Sequence, residues 1–159
     1  MTEESAKLLQ RLMALCSRSE KCESEAYQYM IRRGATPDEA GLAVEYLTEN
    51  QYVSNARYAR SYTADKMRFN KWGKDKIAMQ LRAKKISETD IQNAADEIFD
   101  SESEKETIKA EMAKKLRGIK NGEPRQKIWE KLMRFAISRG YPMQICKPMI
   151  IQMISGNAS

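Results

Sequence analysis

The chain has 159 residues, of which 42% are hydrophobic and 31% charged, with a formal net charge of +6. That balance suits a folded, highly soluble protein and excludes a disordered or low-complexity chain. No apolar run approaches the ~18 residues needed to cross a bilayer, and the absence of histidine removes the commonest general base and metal ligand.

The acidic start "MTEESAKLLQ" lacks a hydrophobic signal core, so a cytoplasmic protein without a membrane anchor is expected. Cys16, Cys22 and Cys146 follow no metal-ligand spacing and read as reduced, buried thiols. There is no glycine-rich phosphate loop, no G-x-S-x-G and no nucleophile beside a base. The carboxylates recur at helix starts and on helix surfaces. Neither an enzyme, a cofactor nor a metal site is expected.

Taken in chain order, the first helix spans about 4–16. The next ends at Gly34, after an arginine that suits the negative end of the helix dipole. "TPDE" then places Thr36 as N-cap, Pro37 at the first helical position and Glu39 in a capping box. A helix over 54–70 follows. Gly73 opens the next one, making Trp72 and Ile77 the pair of a hydrophobic staple. "SETD" starts a helix with Ser87 and Asp90, and "SESE" starts another with Ser101 as cap and Glu104 behind it. Pro124 opens a helix that Gly140 ends. The last helix begins at Pro142 without a Ser, Thr or Asp cap and should be kinked by Pro148. No stretch alternates with a period of two, so the fold class is all-α, with about nine helices.

Those helices repeat. "AYQYMIRRGATPDEAGLAVEYL" (26–47), "IAMQLRAKKISETDIQNAADEI" (77–98) and "LMRFAISRGYPMQICKPMIIQM" (132–153) align without gaps. Ala26, Ile77 and Leu132 share a column, as do Met30, Leu81 and Ala136. The turn columns are Gly34, Lys85, Gly140 and then Ala35, Ile86, Tyr141. In the following helix Ala40, Ile91, Cys146, then Val44, Ala95, Ile150, then Leu47, Ile98, Met153 recur at the spacing of one buried face. A helix precedes each unit. Three tandem three-helix repeats are therefore expected, over 1–52, 53–100 and 101–159, stacked into an elongated, curved array.

Charge is concentrated in the middle. Residues 51–86 hold ten Lys or Arg against only Asp65 and Asp75. At 100° per residue, Tyr58, Tyr62 and Phe69, with Ala59 at the edge, fall on one side of the helix over 54–70. Arg57, Arg60, Arg68 and, if the helix runs on, Lys71 fall on the other. Lys66 lies beside the aromatic face, where its stem can snorkel outward. The segregated cations read as a binding surface for a polyanion or an acidic protein. Lys74, Lys76, Arg82, Lys84 and Lys85 are plausible extensions. Phe69 and Trp72 are read as core and staple positions, since base-stacking aromatics normally line the charged groove itself.

The segment "RYARSYTADKMRFNKWGKDKIAMQLRAKKIS" (57–87) resembles the central segment of RecX, the bacterial regulator of the RecA recombinase. An aromatic–alanine pair, a further aromatic, a helix-opening glycine, an aliphatic, a leucine and a closing hydrophobic appear as Tyr58–Ala59, Tyr62, Gly73, Ile77, Leu81 and Ile86. The "RRG" turn ending at Gly34 and the "SRGYP" turn at 138–142 are similar to family turns. Ser54–Asn55 stands where the family carries acidic residues.

The resemblance implies three tandem three-helix repeats and a non-enzymatic, monomeric modulator. It would bind the RecA–DNA filament, touching DNA weakly or only as part of the filament, and limit filament growth, ATP hydrolysis and LexA cleavage. The residues alone also leave room for a direct, sequence-tolerant DNA-binding protein, because three-helix modules resemble helix-turn-helix units. A helical adaptor for an acidic protein is a third reading.

Overall fold

The computed structural model describes residues 1–157, which among them form nine α-helices and no strand. These are α1 (Glu3–Cys16), α2 (Glu23–Arg32), α3 (Pro37–Glu49), α4 (Asn55–Asn70) and α5 (Lys74–Ala83), then α6 (Glu88–Ile98), α7 (Ser101–Arg117), α8 (Arg125–Arg139) and α9 (Met143–Asn157).

Capping chemistry explains where several of them begin. The Thr36 hydroxyl accepts the Glu39 N–H at 3.2 Å while the Glu39 carboxylate takes the Thr36 N–H at 3.0 Å, the reciprocal box expected there. Glu39 also accepts the N–H and hydroxyl of Thr2 at 3.1 and 3.0 Å, tying the start of α1 to the start of α3. Ser87 accepts the Asp90 N–H at 3.1 Å. The expected cap at Ser101 is corrected by one residue. Asp100 caps α7, its carboxylate accepting the Ser103 N–H at 3.2 Å and the Ser103 hydroxyl at 3.1 Å, and Ser101 is the first helical residue. A charged acceptor at the positive end of the helix dipole outcompetes a hydroxyl.

The three turn columns share one backbone solution. Gly34, Lys85 and Gly140 all have positive φ, at 98°, 63° and 77°. The following N–H reaches five residues back each time: Ala35 to Met30, Ile86 to Leu81 and Tyr141 to Ala136, at 3.1, 3.1 and 3.0 Å. A second bond in each turn joins Gly34 to Ile31, Lys85 to Arg82 and Gly140 to Ile137. This is the Schellman ending, which satisfies two carbonyls the helix would leave without partners. The gapless repeat thus reappears as hydrogen bonds.

The chain divides into two units: Met1–Tyr62 with Leu81–Ala94, and Thr63–Gln80 with Ala95–Ser159. In the first, α1 packs on the pair α2 and α3, around Leu12, Cys16, Ala26, Met30, Ala40, Ala43, Leu47 and Val53. In the second, α7 packs on α8 and α9 in the same way, around Ile108, Met112, Leu132, Ala136, Tyr141, Cys146 and Ile150. The matching positions of the middle repeat are buried too, Leu81 and Ile91 in the first unit and Ile77 in the second.

Phe69 departs from expectation. The helical spacing sets it with Tyr58 and Tyr62 on one stripe, yet it is 71% exposed. The buried side of α4 shifts along its length, from Tyr58 and Ala59 to Thr63, with Met67 half-buried beyond. Counted from Thr63 at 100° per residue, Phe69 lies about 120° away from that second stripe. A single helical wheel drawn for the whole helix hides the change.

Candidate partner-binding surface

The expected cations differ in exposure and in the partners they hold. Arg57 is half-buried. Its guanidinium meets the Glu20 carboxylate and donates to the carbonyls of Gln51 and Tyr52 at 3.1 and 3.3 Å, closing the turn after α3. Arg82 forms a two-point pair with Glu88, at 2.5 and 3.1 Å. That bond holds the Glu88 carboxyl below its ordinary range.

Lys84 reaches Glu25 at 3.1 Å, and its carbonyl accepts the Ser24 hydroxyl at 2.7 Å. Burial pulls the Lys84 ammonium towards its neutral form, but the hydrogen bond and charge of Glu25, with Tyr58 beside it, outweigh that and leave its pKa raised. Tyr58 stacks on Tyr62 with centroids 5.8 Å apart. Burial, followed by the charge of Glu25, pushes the Tyr58 phenol up to about 12. Both members of the aromatic–alanine pair of the central motif, Tyr58 and Ala59, are buried, and the Lys84 ammonium lies 5.8 Å from the Tyr58 ring centroid.

In the second unit the corner between α4 and α5 is built on a glycine-to-glycine contact. The Gly73 N–H donates to the Arg139 carbonyl at 2.6 Å, and the Asp75 N–H donates to the Gly140 carbonyl at 3.1 Å. The open N–H groups starting α5 are thus met by open carbonyls ending α8. A Cβ on Gly73 would stand 2.3 Å from the Gly140 oxygen, and one on Gly140 would stand 2.3 Å from the backbone nitrogen of Lys76. Neither position has room for a side chain.

Around that contact the rest of the corner is bonded down. The Tyr141 hydroxyl donates to the Lys71 carbonyl at 2.7 Å, and Arg139 reaches Glu111 at 3.1 Å. Lys76 donates to the Ser138 carbonyl at 3.0 Å. Its ammonium also lies 4.3 Å from the Trp72 ring centroid, with that of Lys66 at 4.9 Å. Lys74 faces Glu104 at 3.4 Å and the Phe99 ring at 5.6 Å. Ile77 and Leu81 are core residues, and Gly73 stands one residue before α5, so Trp72 and Ile77 have the register of the staple.

Arg60, Arg68, Lys71 and Lys85 are exposed. The Arg68 guanidinium carbon sits 5.4 Å from the Phe69 ring centroid. Lys71 and Lys85 adopt left-handed backbone, with φ of 57° and 63°; α4 ends at Asn70, so Lys71 does not continue the helical stripe on which it was expected. Of the expected stripe, Arg60 belongs to the first unit, and Arg68 and Lys71 belong to the second.

Two features escaped the sequence reading. Glu104, read as an acidic first-turn residue, has a side chain only 4% exposed, and its Oε2 makes no hydrogen bond. Nothing in "SESE" distinguishes that carboxylate from its exposed neighbours. The second feature is an open cleft of about 1040 Å³ in the first unit, whose lining includes Lys21, Arg32, Arg33, Lys84 and Lys85. Arg33 lies 3.7 Å over the Tyr29 ring there. The "RRG" signal was visible but read only as a turn.

Among the described residues no group of His, Cys, Asp or Glu is arranged to hold a metal ion, and no helix is long and apolar enough to cross a membrane. The family model described as the second three-helix domain of RecX matches residues 54–94, and that for the third three-helix domain matches 102–148. Together they take in more than half of the chain. The regulatory protein RecX of Clostridium tetani is 28% identical over 138 residues, covering 86% of this chain and 62% of that one. Its counterpart from Clostridium botulinum is 30% identical over 139 residues, covering 87% and 64%. The chain spans about three fifths of the length of these curated relatives. A crystal structure of a regulatory protein RecX superposes with a TM-score of 0.82 at 22% identity, over 92% of this chain and 71% of that one. At that identity the likeness speaks for the fold.

Proposed function

Because this chain belongs to the RecX family of regulatory proteins, we propose that it binds a RecA–DNA filament and restrains it. In this reading it is a non-enzymatic, cytoplasmic monomer that limits filament growth, ATP hydrolysis and the filament's promotion of LexA cleavage. The three repeats over 1–52, 53–100 and 101–159 act in series. The observation that carries the reading is a coincidence of position: the match to the second RecX domain, residues 54–94, falls on the basic block, where ten cations face two acids. A nucleoprotein filament is negatively charged and periodic, so it rewards displayed cations that engage several sites together.

Arg60, Arg68, Lys71 and Lys85 are the first-choice contacts, because they are exposed. Lys74, Lys76, Arg82 and Lys84 extend the surface, each from an ion pair or hydrogen bond that it already makes. Arg57 serves mainly to hold the turn ahead of α4.

Replacing Arg60, Arg68 and Lys71 together by Glu should abolish most of the inhibition of RecA ATPase on single-stranded DNA while helicity stays intact. Unchanged inhibition by a folded triple variant would overturn this assignment. The second reading, direct binding to DNA, is favoured by one observation: Phe69 is an exposed aromatic with cations on both sides.

A further inference from the structure

Phe69 is the most exposed of the large hydrophobic residues, and it stands on a rigid platform. Directly after it, four successive residues have their backbones bonded. The Asn70 carbonyl accepts Arg139 at 3.5 Å and the Lys71 carbonyl accepts the Tyr141 hydroxyl at 2.7 Å. The Trp72 N–H donates to the Lys66 carbonyl at 3.2 Å and the Gly73 N–H to the Arg139 carbonyl at 2.6 Å. The exposure of the ring is therefore not that of a frayed helix end. The backbone that carries it is held before any partner arrives, which lowers the entropic cost of binding.

The surroundings of the ring select the partner. Within three residues lie Lys66, Arg68 and Lys71, and no acid lies closer than Asp65, one turn earlier. An apolar face among cations repels a basic surface and suits a polyanion that also carries flat apolar groups. Single-stranded DNA is such a ligand, since its bases are unpaired and its phosphates follow one another closely. A duplex offers the phosphates but keeps its base faces stacked inside.

We propose that Phe69 is a base-stacking platform for single-stranded DNA, with Arg68 and Lys71 taking the phosphates on either side of the stacked base. The contact does not rest on the filament reading. A chain that never touches RecA would still make it, and a RecA regulator acting through protein contacts alone would not.

The test is fluorescence anisotropy of the full chain with a labelled oligothymidylate and with a duplex of the same length, at several salt concentrations. Phe69→Ala should weaken oligothymidylate binding roughly tenfold, the size of one lost base stack, while Phe69→Tyr binds as the parent does. The salt dependence should stay unchanged for Phe69→Ala and should become shallower, by about 0.7 in the log–log slope, for Arg68→Gln. Duplex binding should be unaffected by Phe69→Ala.

The proposal is overturned if the parent does not bind oligothymidylate, if Phe69→Ala binds it as tightly as the parent, or if duplex binding falls equally. Phe69→Ala is also assayed for RecA ATPase inhibition. Loss of inhibition with unchanged oligothymidylate binding would make Phe69 a protein contact and overturn the stacking role. A parent that fails to inhibit RecA but shows the Phe69 effect on oligothymidylate would refute the filament reading and support this one.

Discussion

The turns after α2 and after α8 have the same sequence signature and the same backbone, but different surroundings. Each places an arginine before a glycine of positive φ, and each closes with the same pair of hydrogen bonds. At Gly34 a Cβ would meet nothing within 4 Å, whereas at Gly140 it would strike Lys76. Arg33 turns back on its own helix, donating to the Tyr29 carbonyl at 3.3 Å. Arg139 reaches outward to Glu111, Tyr141 and the carbonyl of Asn70. Glycine is thus required for conformation alone in one copy, and for conformation and space in the other. The third repeat's turn has become the seat on which the α4–α5 corner rests.

Substitutions measured by chemical denaturation test this contrast. Gly140→Ala should be the most costly, about 3 kcal/mol or more, because left-handed strain adds to a backbone collision. Gly73→Ala, with no positive φ but 2.3 Å from the Gly140 oxygen, should cost about 1–3 kcal/mol from crowding alone. Gly34→Ala should cost about 1 kcal/mol, the conformational part only. Equal losses at Gly34 and Gly140 would refute the seat. The smallest effect has the opposite sign. Lys85 is the one non-glycine in this column, so Lys85→Gly should stabilise by about 0.5–1 kcal/mol, because the relief of left-handed strain exceeds the added freedom of the unfolded chain.

What the sequence reveals and what it hides divide along the same line. Thr36, Pro37 and Glu39 announce a capping box because every group involved lies within four residues. The gapless columns through Gly34, Lys85 and Gly140 announce the repeat because a shared turn needs a shared register. Gly73 and Gly140 were each legible as a helix start and a helix stop. Their contact was not, because it joins residues far apart in the chain and leaves no local pattern. The same holds for the site. The basic block is plain from composition, but composition does not show that Arg57 and Lys84 are taken up by Glu20 and Glu25, acids from a distant helix and its approach. Nor does one helical wheel show that the buried side of α4 shifts before Phe69. Local chemistry sets the elements, and the long-range contacts decide which cations remain on display.

The proposal that the exposed cations serve a nucleoprotein filament is put to the test by co-sedimentation. The chain is spun with RecA filaments formed on single-stranded DNA, and in parallel with the same DNA alone and with RecA alone. Much more of the chain should pellet with the filament than with either component, and replacing Arg60, Arg68 and Lys71 by Glu should remove the excess. Equal recovery with naked DNA and with filament, or an excess that survives the triple replacement, would contradict it.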